Sequence, residues 1–209
     1  MKRAKKKTGE PRFERKLPDA RRRALIEATI ECLKKYGHDG LSIRRISAEA
    51  KVSIGLINHH FPTKDTLVAE AYRYFNNELV GGLRRAVAET TGTPREQLRA
   101  FLKASFSPPN LDSDVLAVWV VFWGMYRHSK DIQQVQSETY HGYVDVLRGM
   151  LADLERETGK LRFNLRLAAI GLTALIDGLW LEWCLDPDNF EPHEAVDLCE
   201  AWVDRLEGR

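Results

Sequence analysis

The stretch Val52-Ser53-Ile54-Gly55-Leu56-Ile57-Asn58-His59-His60-Phe61-Pro62-Thr63-Lys64 decides how the front of this chain folds. Ser53 is an N-cap residue type, whose hydroxyl accepts from an otherwise unpaired N–H of the first helical turn. Ile54, Leu56 and Ile57 follow it. Pro62 bars the helix from continuing. Just upstream, Leu41-Ser42-Ile43-Arg44-Arg45-Ile46-Ser47-Ala48-Glu49-Ala50 repeats the pattern, with Ser42 as cap and Ile43 and Ile46 as apolar anchors. Lys51-Val52-Ser53 interrupts the two segments. Two helices of about two turns, joined by about three residues, predict a helix-turn-helix.

Upstream of this unit, Pro18-Asp19 opens a helical pattern. Leu25, Ala28 and Cys32, with Ile26, Ile30 and Leu33, give it a broad apolar face, and Gly37 and Gly40 end it. Residues 1–17 are polar and basic, carry Pro11 and lead into Pro18, and show no apolar period. They are expected to form a disordered arm.

Downstream, Thr63 caps a long helix to about Thr90, weakened within by Gly81-Gly82. Breaks at Gly92-Thr93-Pro94, Pro108-Pro109-Asn110, Gly159-Lys160 and Asp186-Pro187 then separate further helical segments. These run from 94 to about 106, 112–128, 131–157, 161–185 and 191–206. No segment has strand period and no internal repeat is visible. The predicted class is all-α with about nine helices: three short ones in front and about six behind.

Composition narrows the function. The chain has 209 residues, 44% hydrophobic and 30% charged, which supports a packed core rather than disorder. Its net charge of +2 hides an asymmetry: residues 1–60 carry +9 and residues 61–209 carry −7. A basic front on an acidic body points to a polyanionic partner for the front. In residues 1–16 only Phe13 could anchor a membrane-surface segment, so nucleic acid is the better partner. No apolar run is expected to reach the ~20 residues that cross a bilayer, and the basic N-terminus has no apolar stretch behind it. No membrane partner is expected, and a cytoplasmic location is. Cys32, Cys184 and Cys199 are odd in number and widely spaced, which argues against a disulfide framework and for small buried hydrophobes. His59-His60 point apart and have no carboxylate at ligand spacing, so no metal is expected, and no cofactor either. No Ser/His/Asp set, phosphate-cradling Gly loop or HExxH is present. Glu155 and Glu157 read as a solvated helix end, so an enzyme is not expected.

The segment from Val52 to Leu67 resembles the recognition-helix region of TetR-family bacterial repressors, which reads V-S-x-G-x-[IL]-[YS]-x-[HY]-F-x-x-K-x-x-L. Leu41 to Ala50 is similar to the family's first motif helix. The likeness covers about residues 19–70. It departs at Asn58, where the family usually has Tyr. Farther on, Leu116 to Trp123 and Leu172 to Leu181 look like the corresponding helices of BetI-type repressors, which regulate choline-to-glycine-betaine genes. The resemblance implies a helix-turn-helix DNA-binding domain over 18–64 behind the 1–17 arm. It also implies a helical ligand-binding and dimerisation domain over 65–209, paired through its last two helices. Ligand in the body would favour a spacing of the two recognition helices that mismatches adjacent major grooves, with helix 63–90 as the lever.

Residue by residue, Ser53, Gly55, Asn58 and His59 are the candidate groove-facing side, with Val52, Leu56 and Phe61 behind. Asn58 has the bidentate geometry for adenine. By resemblance, Ser42, Arg44, Arg45, His60 and Lys64 are phosphate clamps; Arg44 and Arg45 also read as a plain solvated face. One such motif reads only a few base pairs, so useful specificity requires a homodimer on near-palindromic double-stranded DNA. Ala168, Gly171, Ala174 and Gly178 form a small-residue stripe suited to that pairing, or to ordinary core packing.

In the body, Trp119, Phe122, Trp123 and Tyr126 make an aromatic wall. Asp177 and Trp180 lie on a helix with little other charge. Aromatic faces plus one acid suit a quaternary ammonium such as choline. A tryptophan stripe is equally at home in a core, and Asp177 could instead bond a neighbouring helix or a dimer mate. The reading is therefore a ligand-relieved repressor, with a same-fold regulator controlled by a protein partner as the alternative.

Overall fold

The computed structural model describes residues 12–159, 161 and 164–208. It is helical throughout, with nine helices and no strand among those residues: α1 Arg12–Tyr36, α2 Ile43–Glu49, α3 Ile54–His60, α4 Lys64–Ala88, α5 Pro94–Ser105, α6 Ser113–Met125, α7 Lys130–Thr158, α8 Leu165–Leu185 and α9 Pro192–Glu207. The all-α expectation holds. Gly81 and Gly82 sit inside α4 without breaking it. The chain forms two compact units, one ending at Ala71 and one beginning at Tyr72.

Two boundaries differ from the sequence reading. Residues 12–17, expected in the arm, belong to α1. Glu14, Arg15, Lys16 and Leu17 are strong helix formers, and Pro18 costs the helix one hydrogen bond rather than ending it. The remainder of the arm, residues 1–11, lies outside the described residues. The first turns of α4 count with the front unit rather than with the body. There Glu70 of α4 pairs with Arg22 of α1 at 3.1 Å, so a boundary at Lys64 would cut through a packed unit.

In the front unit, α1 packs on α2 and α2 on α3. Leu25, Leu33, Leu41, Ile46, Ile57, Phe61 and Leu67 are buried. Gly37 ends α1 with φ +62°, a left-handed conformation that a Cβ would oppose, and its N–H donates to Leu33 at 2.9 Å. Thr29, buried in mid-helix, satisfies its hydroxyl on the Leu25 carbonyl.

In the body, α8 is central, packing on α6, α7 and α9, while α5 packs on α7 and α9. Arg95 at the start of α5 clamps the end of α9, pairing with Asp204 at 2.6 Å and Glu207 at 2.8 Å. Thr93 and Glu96 complete a capping box on α5. Cys32 and Cys199 are buried as expected, but Cys184 is only half-buried.

The absence of a bilayer-length apolar helix is corrected here. α8 has 21 residues and an 18-residue window of mean hydropathy 1.4, long and apolar enough to cross a membrane by length and composition. In the fold, α8 buries Ala168, Ala169, Leu172, Ile176 and Trp180 against its neighbours, the place of a core helix.

The small-residue stripe also divides. Ala168 is buried and Gly171 packs within the chain, whereas Ala174 and Gly178 face outward. A Cβ on Gly171 would lie 2.7 Å from the indole of Trp202 on α9. Gly171→Ala must therefore displace the Trp202 indole, at a cost of about 1–3 kcal/mol. A thermal melt is expected to fall by several degrees, and an unchanged melting temperature would contradict this packing.

Candidate functional site

The DNA-facing candidates all lie in the front unit. Ser42 and Ser53 are N-caps, accepting from Arg45 N–H at 3.3 Å and Leu56 N–H at 3.2 Å. Their hydroxyls therefore build the two short helices. Lys51 between them adopts φ 55°, and Ser47 ties the turn by donating to the Val52 carbonyl at 2.5 Å. Ile57 and Phe61 are buried and hold α3 down, with Val52 and Leu56 only half-buried; Ile57 is thus the main anchor, which the sequence reading did not single out.

Ser53, Gly55, Asn58 and His59 are exposed together on the opposite side of α3. Ile54 joins them at 41% exposure, one turn before Asn58. A solvent-facing isoleucine directly after the cap offers a methyl surface of the kind that meets thymine C5 methyls.

Arg44 is exposed, but Arg45 is tied back: its guanidinium stacks on Tyr36 at 4.5 Å and donates to the Gly40 carbonyl. It braces the α1–α2 turn as well as facing solvent. His60 is half-buried, its ring edge-on to His59 at 5.3 Å. Lys64 is the first residue of α4, where Thr63 caps the Thr66 N–H at 3.0 Å and the helix N-terminus favours an anion.

Sequence reasoning missed Arg22. It donates to the His60 carbonyl at 3.2 Å, covers the Phe61 ring at 4.3 Å and pairs with Glu70. It fixes the end of α3 to α1 and α4. Within the run Arg21-Arg22-Arg23 nothing in the sequence distinguishes it.

The second candidate site is a cavity inside the body unit, of about 30 Å³. Trp119 of α6, Tyr140 and Tyr143 of α7, and Asp177 and Trp180 of α8 line it, closed on one side by Asn76 of α4. Trp119 and Trp180 meet edge to face at 5.6 Å. Their indoles are pinned by neighbours: Trp119 Nε1 donates to Asn76 Oδ1 at 3.4 Å, and Trp180 Nε1 to the Ser105 carbonyl at 3.0 Å. Asp177 Oδ1 is buried and has no hydrogen-bond partner among the described residues. Burial pushes its carboxyl up from 3.8 to about 7. The neighbour-helix bond considered for Asp177 is thus absent at Oδ1 among the described residues. Among those residues, no lysine, arginine or histidine lines the cavity.

The aromatic wall is corrected in part. Phe122 is fully buried, stacked on Tyr72 at 4.4 Å and tilted against Phe75 at 6.0 Å. It is core, turned a few tens of degrees off the Trp119 face by its i,i+3 spacing. Trp123 packs behind Trp119 at 4.2 Å, and Tyr126, the C-cap of α6, is 45% exposed in an outer groove. Tyr140 and Tyr143 take their places. Both sit on α7, which reads from sequence as an ordinary amphipathic helix, and their i,i+3 spacing was the available signal.

The front unit presents an exposed polar helix face and the body a carboxylate-bearing cavity, an arrangement suited to a transcription regulator. Residues 25–71 match the bacterial regulatory proteins of the tetR family, and residues 94–207 match the C-terminal domain of BetI-type transcriptional repressors. The chain belongs to the TetR family and, within it, to the BetI-type repressors; these are transcriptional regulators, a non-enzyme class. It is 33% identical over 185 residues to the HTH-type transcriptional regulator BetI of Pseudomonas fluorescens, covering 88% of this chain and 91% of that one. Among solved structures it is similar to a transcriptional regulator from Pseudomonas aeruginosa PAO1, at 47% identity and TM-score 0.86, covering 96% and 97% of the two chains. A transcriptional regulator from Saccharomonospora viridis, solved in complex with choline, shares the fold at 22% identity and TM-score 0.74, covering 89% and 96%.

Proposed function

We propose that this repressor binds a near-palindromic operator as a homodimer in the cytoplasm and is released from it by a small organic cation such as choline. The observation that carries the effector reading is Asp177, whose buried Oδ1 has no hydrogen-bond partner among the described residues, in a cavity lined by Trp119, Tyr140, Tyr143 and Trp180. A buried carboxylate is costly without a counter-charge, and a quaternary ammonium supplies one while its methyl groups lie on aromatic faces. The choline held by the Saccharomonospora viridis regulator, of the same fold, supports this class of ligand.

At about 30 Å³ the cavity has room for roughly two waters. A trimethylammonium head is larger, so the site must widen to accept it. That requirement gives the ligand a preference for an altered body, which any release mechanism needs. Moving operator occupancy from 99:1 to 1:99 takes about 5.5 kcal/mol of such preference. We take α4, which runs unbroken from Lys64 to Ala88, as the connecting lever. The small cavity also favours a second reading, in which no small molecule enters and a protein partner controls the repressor. Titrating choline against the complex with DNA from beside the regulator's own gene separates the two. Saturable release, with a matching change in tryptophan fluorescence, is expected; no response to choline, betaine aldehyde or glycine betaine would remove the cation reading.

On the DNA side, Ser53, Ile54, Gly55, Asn58 and His59 enter the major groove, and Ser42, Arg44, Arg45, His60 and Lys64 meet phosphates. Lys64→Ala is expected to weaken binding to all sequences alike and to lower the salt slope by about one. Asn58→Ala is expected to relax specificity at one base pair, by about 1–3 kcal/mol. Anisotropy titrations over a salt series, on operator and on scrambled DNA, distinguish the two. Equal loss on both DNAs for Asn58→Ala would place that residue on the backbone instead.

A further inference from the structure

The cavity holds a second group that the ammonium reading leaves unused. Tyr143 is 8% exposed, and its hydroxyl is buried with no hydrogen-bond partner among the described residues. Its ring is held by Phe101 of α5 at 5.9 Å. A buried tyrosine normally finds a partner for its O–H, and leaving it unpaired is costly. Tyr143 lines the same cavity as Asp177 and feels its charge. Several other hydrogen-bonding groups on the α4 and α7 walls are engaged. The Tyr72 hydroxyl donates to Gln136 Oε1, the Thr139 hydroxyl to the Val135 carbonyl at 2.8 Å, and Asn76 uses Nδ2 on the Tyr72 carbonyl at 3.0 Å and Oδ1 on Trp119. Two buried polar atoms of the lining are left without a hydrogen-bond partner among the described residues: Asp177 Oδ1 on α8 and the Tyr143 hydroxyl on α7.

We propose that the Tyr143 hydroxyl is a specificity-determining donor. It selects, among small organic cations, those that carry a hydroxyl or carbonyl oxygen a few bonds from the charged nitrogen. The inference rests on the cation reading of the cavity and adds the second point of recognition. The chemistry is asymmetric. A cation bearing one neutral oxygen satisfies both orphan groups. A cation bearing only hydrocarbon leaves the hydroxyl unpaired in a now drier site, and a site built to bond an oxygen rejects the analogue lacking it. A zwitterion would satisfy Tyr143 but would bring its carboxylate into the small cavity that already holds Asp177, where like charges repel with little screening. The cavity thus favours a cationic alcohol or aldehyde over the corresponding carboxylate, so the acid formed by oxidising such a ligand would be a poor effector. Burial holds the Tyr143 phenol well above its usual 10, so it remains a donor throughout the physiological range.

The test compares choline with n-propyltrimethylammonium, which replaces the hydroxyl by a methyl group of similar size. Binding to the full-length protein is followed by calorimetry and tryptophan fluorescence. Wild type is expected to prefer choline by about tenfold or more, and Tyr143→Phe to erase that preference while keeping its affinity for the propyl analogue. Loss of the buried hydroxyl leaves the ring packing intact, and a thermal melt checks this. Equal wild-type affinity for the two ligands, or a preference for choline that survives in Tyr143→Phe, would overturn the inference and leave the cation reading standing. If wild type binds neither ligand, the cation reading itself falls, and this inference with it.

Discussion

Asp177→Asn is expected to abolish the response to choline while making the ligand-free protein more stable above pH 7. The two effects share one cause. In wild type the fold raises the Asp177 carboxyl from 3.8 to about 7, because burial penalises the charged form, and among the described residues no lysine, arginine or histidine lines its cavity. The groups around it are the phenols Tyr140 and Tyr143 of α7 and the indoles of Trp119 and Trp180. Below pH 4 the carboxyl is protonated in both the folded and the unfolded chain and costs the fold nothing. Between pH 4 and 7 the unfolded chain ionises while the folded one keeps its proton, so stability declines as pH rises. Above pH 7 the full penalty, at most about 4 kcal/mol from a three-unit shift, is in place. Asparagine carries no such penalty. Melting curves of wild type and Asp177→Asn should therefore coincide near pH 4 and separate progressively up to pH 8, with the variant the more stable. A variant less stable than wild type at pH 8 would mean that Asp177 has a partner and that the cavity is structural.

Ligand binding has the opposite pH dependence. A quaternary ammonium requires the ionised carboxylate, so below pH 7 each bound cation must expel a proton. The apparent affinity of wild type for choline should rise about tenfold per unit between pH 5 and 7 and level off above. In Asp177→Asn the affinity should be flat with pH and lower by about two orders of magnitude, the usual scale for deleting one partner of a buried charge pair. Calorimetry in two buffers of different ionisation enthalpy reads the released proton directly.

The front of this chain was legible from sequence because its signals are local. Ser42, Ser53 and Pro62 act within one helical turn of themselves, and the two short helices fall where these residues place them. Arg22 was not legible, because its role depends on three partners distant in sequence: His60, Phe61 and Glu70. In the body, the scarcity of charge around Asp177 pointed to the carboxylate, and Trp119 and Trp180 line its cavity, but the α7 wall of Tyr140 and Tyr143 was not legible. Spacing along α6 places Trp119, Phe122 and Trp123 near one another without saying which of them faces α8. Tyr72 and Phe75 of α4 claim Phe122, and two tyrosines of α7 claim the free side of Asp177. The small-residue stripe on α8 divides, with Ala168 and Gly171 packed within the chain and Ala174 and Gly178 exposed. Periodicity gives a face, and only packing decides which neighbour meets it. Trp202 of α9 reaches Gly171, which settles that position as an internal contact.

Ala174→Arg is expected to convert the protein to a folded monomer that no longer holds its operator. Once Ala168 and Gly171 are assigned to the interior, the outer face of α8 consists of Leu167, Ile170, Ala174, Gly178, Leu181 and Leu185, all exposed in the single chain and spaced at three and four residues. Leu185 is 73% exposed, and Leu198 on α9 adds a further apolar side chain at 51%. A continuous apolar stripe of this length is unusual on a monomer's surface and fits a second copy of itself about a two-fold axis. Ala174 lies mid-stripe, where two helices would approach most closely. An arginine there faces open space in the monomer, so the fold is kept, but it would place two like charges against each other across the axis. Each recognition helix alone contacts only a few base pairs. Pairing makes the second half-site contact intramolecular, at an effective concentration near millimolar, so its loss should cost about two to four orders of magnitude in operator affinity. Sedimentation should give one chain's mass, circular dichroism should remain wild-type, and anisotropy should report only weak, salt-sensitive DNA binding. A dimer that persists through Ala174→Arg would move the pairing surface elsewhere, and a monomer with undiminished operator affinity would show that one recognition helix suffices.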